Sequence, residues 1–229
     1  MKKFPLIAAA LLVTICSCSR RDPGDLLPLE KEIICRSADV MYVPRIDNRE
    51  DSLLLRTQCI DFSEKALESE EFGILCRKML STVLSPEQAG VGLAATQVGL
   101  VHRIFVLQRM DKEGEPFEVY PNAHIEEYLG KVSYGPEGCL SVPPMRGDVP
   151  RYEGVIVSYR DPVTLEHKRD TVYGYTAIIF QHENDHLDGT LYIDKARDIR
   201  YDSGWAEEFE SFRKEGKYDR PSWLKLPTL

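Results

Sequence analysis

The sequence predicts an α+β domain in which a metal-binding helix packs against antiparallel sheet. Three observations carry that expectation. The segment GYTAIIFQHENDHLDG has helical periodicity and contains His182, Glu183 and His186 in HExxH spacing. Several β-rich runs are separated by short turns rather than by helices. A second amphipathic segment, LESEEFGILCRKMLSTVLSP, stands ahead of them, so helices and strands are segregated rather than alternating.

The bulk composition fits one globular domain with appendages: 229 residues, 43% hydrophobic and 29% charged. A formal net charge of -8, with no Lys/Arg-rich run, argues against a nucleic-acid partner. The scattered acidic residues read as solvated surface.

Taken in order, the chain opens with MKKFPLIAAALLVTICSCSR, two lysines followed by an apolar run from Phe4 to Ile15. That run is shorter than the roughly 20 residues a membrane span requires and has the layout of a secretory signal. ICSC resembles a bacterial lipobox, so residues 1–17 are expected to be a lipoprotein-type signal peptide. Cys18 is then the lipidated residue, a membrane anchor that locates the protein in the cell envelope. Residues 18–44, polar and Pro-punctuated, read as a tether; 45–200 as the catalytic domain; 201–229 as a tail with a short helix. Cys35, Cys59, Cys76 and Cys139 show no CxxC pairing, and the sequence leaves open whether Cys35 and Cys59 are joined.

Within the domain, Phe72, Leu75, Cys76, Met79, Leu80 and Val83 form one stripe of the first helix. Ser69 is its expected N-cap and Pro86 its stop. GVGLAATQVGL follows, too rich in glycine for regular structure at its start. RIFVLQ, FEVYP, GVIVSYR and EHKRDTVYG are the expected strands. On the second main helix, His182 and His186 share a face with Tyr175, Ile178 and Ile179, and Gly189 ends it. In the tail, Trp205, Phe209 and Phe212 recur at helical spacing, which predicts a packed C-terminal helix.

Two histidines four apart on a helix reach one metal ion, and Glu183 beside them is a general-base candidate. A third protein ligand is needed. The longer HExxHxxGxxH pattern matches through Gly189 but has Tyr192 where its last histidine belongs. Glu207 and Glu208 downstream and Cys139 upstream, in GPEGCLSVPP, remain as candidates on spacing alone. Cys139 could equally serve as a small buried hydrophobe.

Three blocks, GVGLAATQ (90–97), EGCLS (137–141) and QHENDHLDG (181–189), together resemble the signature motifs of peptide deformylases. The resemblance spans roughly residues 45–195. It implies an α+β fold with antiparallel sheets around the HExxH helix, and an enzyme that removes formyl from N-formylmethionyl peptides. By position it implies Cys139, His182 and His186 as metal ligands and Glu183 as general base and acid. Gln97 and the Leu140 N–H would bind the formyl oxygen, Gly92 and Arg146 would line the substrate groove, and Glu137 would be a structural acid. The implied ion is Fe2+, with Zn2+, Ni2+ or Co2+ able to occupy the site. Arg151 is expected to be structural, and Val91, Leu93, Ile179 and Leu187 to belong to the core. The family acts on chains leaving the ribosome; an exported member implies a formylated peptide met in the envelope.

Overall fold

A computed structural model describes residues 22–88 and 90–226. The expected signal peptide and Cys18 lie outside the described residues. The expected α+β class holds: the described residues form six α-helices and seven strands, the strands in two antiparallel sheets. Helices α1 (Pro28–Ile34), α2 (Arg49–Leu55), α3 (Glu64–Leu67) and α4 (Glu70–Val83) come first. Strands β1 (Gly92–Ala94), β2 (Ile104–Gln108) and β3 (Phe117–Pro121) form one sheet in the order β1-β2-β3. The second contains β4 (His124–Gly138), β5 (Met145–Arg160), β6 (His167–Tyr173) and β7 (Arg197–Tyr201), with β5 pairing all three others. Helix α5 (Gly174–Leu187) packs against β1 and β2 of one sheet and β5 of the other, and α6 (Ser203–Lys214) closes the chain.

Local chemistry explains these boundaries. Ser69 Oγ accepts the Phe72 N–H at 3.2 Å, and Glu70 and Glu71 occupy the first turn of α4, where the helix dipole favours them. Phe72, Leu75, Met79 and Val83, spaced at helical period, are all buried. At the end of α5, Gly189 takes φ +70°, and a Cβ there would lie 2.5 Å from the Arg56 carbonyl oxygen. Only glycine fits that stop without displacing backbone.

Strand β4 is absent from the expected elements. Gly130, Gly135, Pro136 and Gly138 interrupt its pattern, yet the 15-residue strand pairs along β5 over its length, with two register shifts. The register shifts between Leu129 and Val132, and Gly130 sits there at φ +76°. A glycine bulge re-aims the strand toward Cys139 instead of ending it.

Residues 22–44, expected as a tether, instead pack on the domain. Helix α1 buries Ile33 and Ile34, and Glu30 is fully inaccessible. Its carboxylate accepts the Val101 N–H at 2.9 Å and lies 2.9 Å from His102 Nδ1, while the other oxygen accepts the Leu27 N–H. The polar composition of this stretch concealed a buried acid that ties it to β2's approach. Cys35 is exposed and Cys59 buried, and both are free thiols. No helix among the described residues is long and apolar enough to cross a membrane.

Candidate active site

Helix α5 carries three of the site's side chains and is buried on nearly every face between the sheets. His182 and His186, one turn apart, meet Cys139, the first residue after β4. One donor atom from each lies within 4.8 Å of the others. Cys139 Sγ is 3.2 Å from His186 Nε2. The donor set is one sulfur and two imidazole nitrogens, which suits a borderline or soft transition ion and not Mg2+ or Ca2+. The residues fit the metal that the sequence implies.

A buried ionic chain holds the ligands. Glu137 lies 2.8 Å from His182 Nδ1 and accepts two bonds from Arg151, at 2.7 and 3.0 Å. Arg151 also donates to Asp185 on α5 at 2.7 Å, and Asp185 receives Lys195. Burial raises the Glu137 carboxyl, but Arg151 and His182 outweigh it and bring it down to about 2. Arg151 is structural, as expected. Tyr192, in the position where the longer HExxHxxGxxH pattern has its last histidine, stacks on His182 with centroids 6.1 Å apart and donates its hydroxyl to the Met145 carbonyl. Arg103 braces the far side of α5 through Asn184 and Asp188.

Glu183 is 3% exposed, and its Oε2 has no hydrogen-bond partner among the described residues. Burial is the main cause that lifts its pKa to about 7, with the Glu137 charge adding to it. Gly92 faces it across the cleft: a Cβ there would fall on the Glu183 carboxylate. Gly92 lines the cleft and makes room for the acid.

Gln97 is 2% exposed in the 3-10 turn Ala95–Val98 that follows β1. Its Oε1 accepts the Ala94 N–H at 2.9 Å, which fixes the amide so that Nε2 faces Ser141 Oγ at 3.2 Å and Cys139 Sγ at 3.5 Å. The amide donor thus points at the ligand cluster. Leu140 and Arg146 both line the cleft. Arg146, however, gives its Nε to Asp202 at 2.7 Å and lies over the Trp205 ring.

The cleft holds about 550 Å³ and has Cys139, His182, Glu183 and Gln97 among its lining. Val91 and Ile179, expected as core, also line it, whereas Leu93 and Leu187 are fully buried. Glu207 and Glu208 stay exposed on α6, outside the ligand cluster.

Sequence reasoning missed Ser141, Arg45 and the whole contribution of the tail. Trp205, Phe209, Phe212 and Tyr218 line the cleft. The amphipathic spacing in WAEEFESF flagged the helix but not its destination. Arg45, within a Pro-containing run, carried no motif at all.

A family model described as polypeptide deformylase matches residues 45–201. A peptide deformylase of Symbiobacterium thermophilum is 42% identical over 153 residues, 64% of this chain and 67% of that protein. One from Leptospira biflexa is 33% identical over 168 residues, 70% of this chain and 92% of that protein. Among solved structures, the Met-Ala-Ser-bound class I type b peptide deformylase of Acinetobacter baumannii aligns with TM-score 0.60 and 33% identity, over 68% of this chain and 98% of that one. An actinonin complex of a peptide deformylase from Synechococcus elongatus gives TM-score 0.61 and 31% identity, over 81% and 95%.

Proposed function

The chain belongs to the polypeptide deformylase family, and from that premise we propose how its own residues divide the work of deformylation. It is a hydrolase that removes the formyl group from N-formylmethionyl peptides. The observation that carries the division of labour is the convergence of Cys139, His182 and His186 beside the buried, unpartnered oxygen of Glu183.

Cys139, His182 and His186 would hold a divalent ion, leaving a coordination position open as catalytic sites do. When bound, that ion supplies Lewis acidity toward the formyl carbonyl and the attacking water. We assign Fe2+ as the resident ion, with Zn2+, Ni2+ or Co2+ as substitutes that the same donors accept. Metal analysis of protein isolated without added metal tests this; a stoichiometric hard cation such as Mg2+ overturns it.

Glu183 takes a proton from the attacking water as the oxygen–carbon bond forms. Gln97 Nε2, its amide locked by Ala94, and the Leu140 N–H receive the developing oxyanion. Glu183 then returns the proton to the nitrogen as the carbon–nitrogen bond breaks, giving formate and a free amine. Gly92 leaves the carboxylate its position, since a Cβ there would overlap it.

Amine release from formyl-Met-Ala-Ser tests the assignment. Glu183→Ala should lose about 10²- to 10⁴-fold in kcat while keeping its metal. Cys139→Ser should lose both; a Cys139→Ser protein with full metal and activity would sink the ligand assignment.

For location, we propose export and lipidation at Cys18, supported by the two lysines, the short apolar run and ICSC. Palmitate labelling of expressing cells checks it: label that survives Cys18→Ala rules the anchor out.

A further inference from the structure

Arg45 is a buried cation on the wall of the catalytic cleft, 4% exposed, and it has no use in the chemistry described above. Its guanidinium lies over the Tyr218 ring at 3.7 Å and near Phe209 at 5.6 Å. Stacking engages the face of a guanidinium, whereas its five N–H donors lie in the plane and still require acceptors. Nε has no hydrogen-bond partner, and among the described residues Arg45 makes no ion pair. Burial pulls its pKa below the ordinary arginine value, the mark of a charge short of compensation.

Two acids act on Arg45: Asp47, which is exposed and screened by solvent, and Asp51, which is already occupied. Asp51 receives Arg220 at 2.6 Å, the Tyr42 hydroxyl at 2.6 Å and the backbone N–H of Arg45 itself at 3.3 Å. Three other acids of the cleft are occupied as well, Glu137 by Arg151, Asp202 by Arg146 and Glu87 by Lys217, and Glu183 stands beside the ligand cluster. Glu208 is exposed, so solvent screens it, while Arg45 is not screened. A buried, unpaired guanidinium between aromatic faces thus sets the local preference of the outer cleft for an anion. Planar, bidentate carboxylates match its geometry.

The substrate supplies the direction. Its formylated end must reach the Cys139–His182–His186 cluster, so the residues that follow leave along the outer cleft. That part of the wall comes from Arg45 and from a tail that begins beyond the family-matched residues 45–201. We propose that Arg45 forms a carboxylate subsite for the peptide downstream of its formylated residue. The carboxylate comes either from the free C-terminus of a short formyl peptide or from an acidic side chain. Phe209 and Tyr218 shield the pair from water and so strengthen it. The inference rests on the deformylase reading of the same cleft.

The test compares three substrates with the full, metal-loaded chain: formyl-Met-Ala-Ser with a free carboxylate, the same peptide as its amide, and formyl-Met-Ala-Glu as its amide. A charge-assisted contact predicts a KM for at least one carboxylate peptide about tenfold below that of the neutral amide. A low KM for the free acid alone identifies the C-terminus as the source; a low KM for the glutamyl amide identifies the side chain. In Arg45→Met the KM ratio between charged and neutral peptides should collapse to about one, and Arg45→Lys should restore part of it. Equal KM values for all three peptides in wild type overturn the subsite, as does a preference that persists in Arg45→Met. Turnover of the neutral amide keeps the deformylase reading intact in either case, and absence of turnover on all three peptides overturns both.

Discussion

Glu137 Oε2 lies 2.8 Å from Nδ1 of His182, so this ring has only Nε2 left for an ion. The carboxylate is itself clamped by Arg151, which reaches α5 again through Asp185. Such outer partners fix the tautomer and aim of a metal-binding imidazole. Glu137→Gln should therefore weaken metal binding by about 10- to 100-fold with Cys139 and both histidines in place. Chelator competition on the purified variant measures it; an affinity equal to wild type would show that the ring needs no such orientation.

Gly92 and Glu183 give a second prediction. A Cβ at residue 92 falls on the carboxylate end of a flexible side chain, not on backbone. The fold can absorb it by moving Glu183, which is the group whose position the proton transfers require. Gly92→Ala should thus lower kcat by about 10²-fold, the lower end of what general acid–base catalysis contributes. Its thermal midpoint should change little. A variant that unfolds instead would mean that Gly92 serves the backbone of β1.

These two relationships mark how far the sequence could be read. The HExxH helix was legible because helical period and ligand spacing coincide within one segment. Cys139 became identifiable once three separate blocks were considered together. Strand β4 was not legible, since Gly130 and Pro136 look like breaks in a one-dimensional pattern and are absorbed only by pairing with β5. Arg45 and Tyr218, 173 positions apart, meet at the cleft through long-range packing that no local periodicity encodes. The tail's aromatic spacing gave a helix, and only the fold shows that the helix lines the cleft.

The segment expected as a tether yields the third prediction. Glu30 is fully buried and accepts from Val101 N–H and Leu27 N–H while lying 2.9 Å from His102 Nδ1. Removing a buried acceptor leaves several donors without partners. Glu30→Ala should cost about 3 kcal/mol of unfolding free energy, measured by urea denaturation of the metal-loaded protein. A loss within 0.5 kcal/mol would return residues 22–44 to the status of an accessory arm.

The four thiols among the described residues separate by environment. Cys35 is exposed, whereas Cys76 packs against the core from α4 and burial pushes its pKa up to about 12. The thiolate is the form that alkylating reagents attack. At pH 8, a thiol with that pKa is ionised in roughly one molecule in ten thousand, and its rate should climb about tenfold per pH unit up to its pKa. Cys59 is more deeply buried and burial raises its pKa as well. Brief iodoacetamide treatment of the native, metal-loaded protein at pH 8, followed by peptide mass mapping, should label Cys35 well ahead of Cys59 and Cys76. Labelling of Cys76 at a rate matching Cys35 would mean that α4 opens locally on the timescale of the reaction, and that its buried stripe of Phe72, Leu75 and Met79 holds the helix less firmly than its packing indicates.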